Sequence, residues 1–330
     1  MISVVIPTHK PNIKLLRMAL QALATQSLDK DKYEVILVEN PDFTEEVQDI
    51  VYDFTNKMRI SRISSSLGSN NARNEGIEHS QYDLIALMDD DCAPNVSWLA
   101  RLVSLRGVYP EAGVIAGPLL LDYVDIPRPF WLTGDLEYLL SRVYWDNPPT
   151  VPYGPFDLKG HLDNTWIVSA NLCFTKERWK AVGGFNGDIG YHGLSHRIGN
   201  DELEFVINCS KLGKIEILYD NALMVQHLIP KDRCNIDYLI KRAYGQGFAD
   251  AVMWQQNNPT KLVGDFYHDY LQNKLFEVSR LSVQEVREDL KQEDNTRLYL
   301  TNVIKCKTSY LVGAQHSILG EDPWQKLNQL

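Results

Sequence analysis

The chain is short of positive charge. Its 33 lysines and arginines stand against 43 aspartates and glutamates, which gives 330 residues a formal net charge of -10. Nucleic-acid-binding surfaces are basic, so this balance argues against a nucleic-acid partner. Any anionic ligand must be met by a local basic cluster or by a metal ion. The chain also lacks an apolar run of the roughly 18 residues that a membrane-spanning helix needs, and no charged-then-apolar signal segment opens it.

Cysteine is scarce, and no two cysteines form a C-x-x-C pair. The five cysteines lie far apart, which indicates buried, reduced thiols and a cytoplasmic protein. A G-x-G-x-x-G turn is missing after the first predicted strand, which counts against an NAD-binding protein. The remaining composition, 44% hydrophobic and 23% charged, is that of an ordinary globular protein with a real core.

Strands and helices alternate over the first 120 residues. Apolar runs predict five strands, at 2–6, 33–38, 58–63, 82–88 and 113–121, with helices between them. Uniformly apolar strands separated by helices predict an α/β fold whose mostly parallel sheet is covered by helices on both faces. In such sheets ligands bind beyond the carboxyl ends of the strands.

The pattern changes after residue 121. Residues 122–165 are rich in proline and aromatics and predict an ordered insertion packed over the edge of the sheet or its site. A strand at 165–175 and a helix at 176–182 follow. From about residue 232 the pattern is helical. We therefore expect a domain over 1–230, with halves 1–120 and 121–230, and a helical extension over 231–330 that packs on the core or forms a homodimer face.

The most informative segment is the apolar run 84–88 followed directly by Asp89, Asp90 and Asp91. Desolvating even one carboxylate costs several kcal/mol, so three adjacent ones must emerge at the end of the strand. On an extended segment Asp89 and Asp91 point to one side and Asp90 to the other. One side can hold a divalent metal with a polyphosphate while the other reaches a ribose hydroxyl. The alternative is a solvated acidic turn before Pro94.

Further polar residues fall at predicted strand ends and at a helix start. Thr8, Glu39 and Asn40 follow the first two strands. A carboxylate at Glu39 can accept from ribose hydroxyls or from a base N–H; the alternative is an ordinary loop carboxylate. Arg73 lies in the first turns of a predicted helix, where free N–H groups favour anions, and can add charge there or stack on a base. Alone, it reads equally as an exposed arginine.

A second acidic cluster, Asp201-Glu202-Leu203-Glu204, opens a predicted helix. Acidic residues favour helix N-termini through the macrodipole alone. The functional interpretation is a general base that deprotonates a hydroxyl nucleophile. His227 lies at a predicted strand end that leads into a basic cluster, which makes it a candidate ligand for a metal or a diphosphate, although a single histidine is more often structural.

Together these motifs resemble the inverting nucleotide-sugar glycosyltransferases of family 2, which have the GT-A fold. The resemblance covers residues 1 to about 250, and each motif is loose alone but specific in combination. It rests on Val4-Val-Ile-Pro-Thr8, Val38-Glu-Asn40, Ala72-Arg-Asn-Glu-Gly-Ile77, Leu87-Met-Asp-Asp-Asp91, Ser169-Ala-Asn-Leu-Cys-Phe174, Val182-Gly-Gly-Phe185, Asp201-Glu-Leu-Glu-Phe205 and His227.

The resemblance implies an enzyme that uses Mn²⁺ or Mg²⁺ and a nucleoside-diphosphate sugar as donor. The sugar would pass to a hydroxyl acceptor, a saccharide or a lipid-linked saccharide, in polysaccharide or glycan biosynthesis. A lipid-linked acceptor would bring the protein into peripheral contact with the inner face of the membrane. The Gly183-Gly184-Phe185 turn and the 122–165 insertion would face the acceptor.

The resemblance also implies a role for each matching residue. The nucleoside site would be lined by Pro7, Thr8, Glu39, Asn40 and Arg73. Asp89 and Asp90 would touch ribose and phosphate, and the metal would be held chiefly by Asp91, with Asp89 and His227. The family's base usually lies in a Glu-Asp pair, which is reversed here: alignment through Phe205 selects Glu202, and a slip of one residue selects Asp201.

Two other classes of protein remain open. An aspartyl-nucleophile phosphotransferase also places carboxylates after an apolar strand, but its D-x-D-x-[TV] pattern fails because Ala93 stands at the last position. A non-catalytic sugar-nucleotide-binding protein would share the donor site without turnover. Trapping of an aspartyl phosphate would favour the first, and nucleotide binding without transfer would favour the second.

Overall fold

The computed structural model describes residues 1–41, 43–145, 167–187, 201–211, 217–257, 260, 265 and 294–320. The chain divides into two compact units. Unit 1 contains Met1–Asp122, Ser141–Gly193 and Asp201–Leu228, and unit 2 contains Tyr123–Leu140, Leu194–Asn200 and Ile229–Leu330. Residues 266–293 of the predicted helical extension fall outside the described residues.

Unit 1 is built on a seven-stranded sheet in the order β3-β2-β1-β4-β8-β6-β9. Its strands are β1 Ile2–Thr8, β2 Tyr33–Glu39, β3 Ile60–Ser64, β4 Leu84–Leu87, β6 Val114–Ala116, β8 Leu172–Thr175 and β9 Ile217–Tyr219. The first four strands pair in parallel, and β6 pairs in parallel with β9. Only β8 runs antiparallel to its neighbours in this sheet. The mostly parallel sheet predicted from the apolar runs is confirmed.

Helices connect the parallel strands. They are α1 Ile13–Ala24, α2 Glu45–Phe54, α3 Ser69–His79, α4 Trp98–Val108, α6 Lys176–Ala181 and α7 Asp201–Lys211. Helix α1 begins because the Asn12 side chain accepts from the backbone N–H groups of Lys14 and Leu15. Its apolar stripe, Leu15, Leu16, Ala19, Leu20 and Leu23, is buried.

Helix α3 lies unusually close to the sheet. A Cβ added at Gly76 would meet the Val5 side chain and would lie 2.9 Å from Val38 Cγ2. Only a residue without a side chain therefore allows this approach. The consequence is that the polar residues of α3 are held directly against the carboxyl ends of β1 and β2.

The predicted fifth strand, 113–121, is wrong as a single element. It is two strands, β6 and β7 Leu119–Tyr123, which belong to different sheets. Pro118 separates them and cannot donate to a ladder. The second sheet has the order β5-β10-β7, with β5 Cys92–Pro94 and β10 Val225–Ile229. Within the described residues, the predicted strand at 165–175 is shortened to β8 and preceded by a 3-10 turn at Ser169–Asn171.

The described part of unit 2 from residue 231 onward is mainly helical. The unit contains α5 Asp135–Tyr138, a 3-10 turn at Lys231–Arg233, and the long helices α8 Ile236–Asn257 and α9 Asp294–Ile318. Helices α8 and α9 approach closely because Gly247 faces the backbone of Tyr310 and Gly313 faces that of Tyr244. The Tyr244 hydroxyl and His316 Nδ1 lie 2.7 Å apart at this crossing. The helical C-terminal part predicted from the sequence is confirmed.

All five cysteines are free thiols. Four of them are buried as predicted, whereas Cys234 is only partly covered. Among the described residues, no helix has the length and apolar character needed to cross a membrane.

Candidate active site

The candidate residues gather at one edge of the sheet. Strands β2, β1 and β4 are neighbours and run parallel, so their carboxyl ends lie side by side. Thr8 ends β1, Glu39 ends β2 and Asp89–Asp91 follow β4. Pro7, paired with Val38, lies half-buried in β1 just before the site. The convergence predicted from the strand ends is present in the fold.

Asp90 is held by the end of the neighbouring strand. The hydroxyl of Thr8 donates a hydrogen bond to Asp90 Oδ2. Thr8 is buried, whereas Asp90 is only partly covered. A buried hydroxyl donor therefore fixes a carboxylate that still reaches solvent.

Asp89 faces a buried arginine. Arg73 Nη2 lies 3.7 Å from Asp89 Oδ1. The guanidinium is fixed by two further groups, because Nη1 donates to Asn70 Oδ1 at 2.8 Å and Nη2 donates to Ser169 Oγ at 2.9 Å. The Asp89 side chain keeps 35% exposure. The pair thus presents one oriented cation and one accessible carboxylate.

Asp91 faces His227. Strands β5 and β10 pair antiparallel with Cys92 opposite His227, and the Leu228 amide donates to the Asp91 carbonyl at 2.8 Å. This register brings His227 Nε2 to 3.5 Å from Asp91 Oδ2, with each side chain 8% exposed. A pair separated by 136 positions in the sequence is therefore brought together by the small sheet.

The Asp91–His227 pair suits a divalent cation. A carboxylate oxygen and an imidazole nitrogen are ligand types that Mn²⁺ accepts. Among the described residues, no group of three His, Cys, Asp or Glu side chains clusters closely enough to hold a metal alone. Mg²⁺-type ions are commonly held by one or two carboxylates plus substrate phosphates and water, so two protein ligands fit such a site.

Glu39 is covered by its own protein. Its carboxylate accepts from the Thr44 amide at 3.2 Å, from the Thr44 hydroxyl at 3.0 Å and from Arg62 Nε. The two side chains of the Arg62–Glu39 pair are 10% and 3% exposed. Arg62 also donates to the Thr44 carbonyl at 2.7 Å and lies 4.2 Å from the ring centre of Phe43. Glu39 therefore fixes the segment after β2.

Asn40 continues this framework. Its Nδ2 donates to the Gly68 carbonyl at 3.0 Å, immediately before α3, and its own carbonyl accepts from His9 Nδ1. The ends of β1 and β2 are thereby joined to the start of the helix that carries Arg73.

The acidic pair opens α7. Asp201 is its first residue, and Glu202 follows with a half-buried side chain. The side chain of Asp201 lies outside the described set. Glu204, one turn into the helix, accepts from Asn186 Nδ2 at 3.2 Å.

Sequence reasoning assigned no role to Arg62, Ser169, Asn70 or Asn74, although Ser169 and Asn74 lie in the motifs that carry the family resemblance. Arg62 is one of two arginines in the predicted strand 58–63, and nothing in that pattern distinguishes it. Asn74 holds the Gly183–Phe185 turn through Phe185 and Trp179. These contacts span more than 100 positions, and no local pattern indicates them. The part of the 122–165 insertion that the structure describes ends at Trp145.

Residues 3–123 match the family described as Glycosyl transferase family 2. Two proteins of Haloferax volcanii are similar. Glucosyl-dolichyl phosphate glucuronosyltransferase is 24% identical over 189 residues, which is 56% of each chain. Glycosyltransferase AglE is 35% identical over 105 residues, 31% of this chain and 34% of that protein. The chain therefore spans about half, or less, of the length of these relatives.

Solved structures show the same fold. The mannosyltransferase PcManGT of Pyrobaculum calidifontis, in complex with GDP-Man and Mn²⁺, has a TM-score of 0.61 at 17% identity over 97% of this chain and 88% of that chain. S. aureus TarS 1-349 in complex with UDP-GlcNAc has a TM-score of 0.50 at 14% identity over 97% and 92%. The fold is thus of the GT-A type. Residues 3–123 are thus similar to glycosyltransferase family 2, the family that the motifs predicted.

Proposed function

We propose that this protein transfers a sugar from a nucleoside-diphosphate sugar to a hydroxyl acceptor, with inversion at the anomeric carbon. The observation that carries the proposal is the separate partnering of three consecutive carboxylates: Asp89 with Arg73, Asp90 with Thr8 and Asp91 with His227. In a solvated acidic turn, water would satisfy the carboxylates. Here a different element of the fold holds each of the three.

The donor's nucleoside would lie over the ends of β1 and β2. The residues proposed to line it are Pro7, Thr8, Glu39, Asn40 and Arg73, with Asp89 and Asp90 toward ribose and phosphate. Because Glu39 is covered by Thr44 and Arg62, it contributes by shaping the segment after β2. Arg73, held by Asn70 and Ser169, supplies a fixed positive charge toward the diphosphate.

Asp91 and His227 are the proposed protein ligands of Mn²⁺ or Mg²⁺, with Asp89 as a further candidate. When bound, the ion would neutralise the negative charge that develops on the departing diphosphate. The protein's own contribution is to hold Asp91 and His227 facing each other before the donor arrives. Preorganised groups avoid the cost of reorganising at the moment of reaction.

Glu202 or Asp201 is the proposed general base. Attack by the acceptor hydroxyl from the face opposite the diphosphate gives inversion and requires a base on the acceptor side. A carboxylate that takes this proton contributes typically about 10²–10⁴-fold to the rate. The acidic start of α7 supplies two such carboxylates.

The acceptor is proposed to be a saccharide, free or linked to a lipid phosphate, in glycan or polysaccharide assembly. The support is the activity that gives one relative its name, a glucosyl-dolichyl phosphate glucuronosyltransferase that shares 24% identity. A lipid-linked acceptor would place the protein at the cytoplasmic face of the membrane.

A donor screen followed by a product assay tests this function. Thermal shifts with UDP, GDP, TDP and CDP sugars, with and without Mn²⁺, should show selective stabilisation by one donor class, because a ligand that binds the native state raises its stability. That donor is then incubated with free and lipid-phosphate-linked saccharides, and NMR compares the anomeric configurations of donor and product. An inverted glycoside with release of the nucleoside diphosphate supports the proposal.

Two results would contradict it. Selective donor binding without transfer or hydrolysis would indicate a sugar-nucleotide-binding protein. A product that keeps the donor's anomeric configuration would exclude direct displacement assisted by Glu202 or Asp201. The same transfer assay applied to Asp91→Asn tests the proposed metal ligand. Asp53→Asn is its matched control, because Asp53 forms a solvent-exposed ion pair with Arg17 outside the site.

A further inference from the structure

Helix α3 carries two adjacent residues that serve opposite sides of the proposed reaction centre. Arg73 contacts Asp89 on the donor side. Asn74, the next residue, contacts Phe185 in the Gly183-Gly184-Phe185 turn, which the family resemblance places toward the acceptor. The two sides are therefore joined through a single turn of one helix, all within unit 1.

Both polar atoms of the Asn74 side-chain amide form hydrogen bonds. Its Oδ1 accepts from Trp179 Nε1 and from the Phe185 amide, each at 2.9 Å. Its Nδ2 donates to the Phe185 carbonyl at 2.7 Å. Only a side chain with both an acceptor and a donor can make this set: aspartate keeps the two accepted bonds, and alanine loses all three.

The turn is shaped to admit Asn74. A Cβ added at Gly184 would lie 2.9 Å from Asn74 Oδ1 and 3.0 Å from Trp179 Nε1. Gly183 has nearly the same positive φ, +81° against +82°, but open space where a Cβ would lie. An alanine at Gly183 would therefore bear only the cost of the positive φ. An alanine at Gly184 would bear that cost and would also crowd Asn74.

The segment Gly183–Gly187 also contacts α7, the helix that carries the candidate base. Asn70 Nδ2 donates to the Asn186 carbonyl at 2.9 Å, and Asn186 Nδ2 donates to Glu204 Oε1 at 3.2 Å. Phe185 stacks on Phe205 with ring centres 4.4 Å apart. Polar and aromatic contacts therefore run from α3 through the turn to α7, which begins with Asp201 and Glu202.

We propose that Asn74, assisted by Asn70, is a positioning residue that sets the general base on α7 relative to the donor groups of α3. This inference rests on the proposed function. A base must lie within hydrogen-bond reach of the proton it removes, and a misplacement of about 1 Å can cost about 100-fold in rate. The tether fixes that distance through the contacts of α3 with the turn and of the turn with α7.

Hydrogen exchange tests the tether without using activity. In Asn74→Ala, the amides of 183–187 and 201–205 should exchange faster, because the Phe185 amide loses its acceptor. The amides of α2 should not change. Glu78→Ala is the matched control, since Glu78 is exposed on the same helix.

A double-mutant cycle tests the consequence for the reaction. Asn74→Ala should lower kcat by about 100-fold and leave the donor Kd within about twofold. The second variant is Glu202→Gln, or Asp201→Asn if that single change lowers kcat more. Adding Asn74→Ala to this variant should lower kcat almost no further, because the base is already lost. Combined with Asp91→Asn, the two effects should multiply.

The possible outcomes separate the inference from the function on which it rests. Faster exchange with an unchanged kcat overturns the positioning role. The positioning role is also overturned if the kcat losses of Asn74→Ala and Glu202→Gln multiply in the double variant, because independent losses indicate general destabilisation. Gly184→Ala should reproduce the kinetic defect and Gly183→Ala should show less of it; equal defects count against the tether. A wild-type protein that binds no donor in the screen overturns the proposed function itself.

Discussion

Thr8 and Asp90 are joined across two neighbouring parallel strands: the hydroxyl that ends β1 donates to the second of three aspartates that follow β4. The two residues are 82 positions apart in sequence. Their contact gives the site its rigidity, because a carboxylate at a strand end is fixed by the strand beside it.

We expect Thr8→Val to weaken donor binding while keeping the volume of the side chain. A hydrogen bond to a charged group contributes about 1.5–3 kcal/mol, so the donor Kd should rise about tenfold or more. Calorimetric titration with the donor measures this. Thr8→Ser keeps the hydroxyl and should bind nearly as wild type; an equal loss in both variants would mean that the hydrogen bond is not the cause.

We expect Arg62→Met to destabilise the fold. The change leaves Glu39 buried with two Thr44 donors but no countercharge, and loss of one partner of a buried pair costs about 3–5 kcal/mol. Two remaining hydrogen bonds favour the lower end of that range. The midpoint of urea unfolding reports the loss at unchanged m.

Arg17→Met is the control for that measurement. Arg17 and Asp53 form an ion pair at 2.7 Å with side chains 51% and 49% exposed. Such surface pairs contribute about 0–1 kcal/mol. If the two methionine variants unfolded at the same urea concentration, burial would not be what makes the Arg62–Glu39 pair important.

The two helical glycines of α3 and α4 should respond in opposite directions to alanine. Gly76→Ala forces a Cβ against Val5 and Val38, and overpacking of this kind costs about 1–3 kcal/mol. Gly107→Ala places its Cβ in open space near the end of α4 and should stabilise by about 0.5–1 kcal/mol. Thermal unfolding of the two variants checks this, and a stabilised Gly76→Ala would contradict the close approach of α3 to the sheet.

Thiol reactivity should separate Cys234 from the other cysteines. Burial raises the pKa of Cys173, Cys209 and Cys306 to about 12, and Cys92 is fully buried. Burial raises the pKa of Cys234 as well, but this residue is only partly covered. At pH 8 a thiol reagent should modify one cysteine of the native protein in a faster phase than the other four, and all five in denaturant. In Cys234→Ser the fast phase should disappear; its persistence would contradict the burial of the other four.

The same thiols make the fold sensitive to alkali. Their ordinary pKa is 9.0, and burial raises it in the folded state. The folded state therefore holds the proton more tightly, and the resulting stability is complete below pH 9 and lost as the pH rises toward about 12. The urea midpoint should fall between pH 8 and pH 10, and less steeply in Cys209→Ala than in wild type. If the urea midpoint fell with pH equally steeply in the two proteins, Cys209 would not contribute to the sensitivity to alkali.

The sequence allowed the sheet and the line of residues at its carboxyl edge to be predicted, because both follow from local patterns. Apolar runs identify strands, and a charge after a run marks its end. The segment 113–121 was misread because Gly117 and Pro118 break the ladder, while the residues around them are apolar enough for either sheet. Apolar character does not specify which sheet a strand joins.

The contacts that complete the site could not be predicted in the same way. Arg62 meets Glu39 because β3 lies beside β2 in one particular register, with Ser64 opposite Glu39. Asn74 meets Phe185 because α3 and the glycine turn are packed together by the whole fold. Such pairings depend on tertiary register, which leaves no periodic trace in the chain. His227 was predicted to end a strand, which is wrong, because it lies in the middle of β10. Its partner Asp91 became evident only from the β5–β10 pairing.

The central claim is that Asp91 and His227 hold a divalent ion together with the donor's diphosphate. The most direct measurement is electron paramagnetic resonance of Mn²⁺ titrated with protein, with and without the nucleoside diphosphate selected by the donor screen. We predict that wild type and Asp53→Asn sequester the ion when the nucleotide is present, and that Asp91→Asn does so at least about tenfold more weakly. Equal sequestration by wild type and Asp91→Asn would contradict the claim.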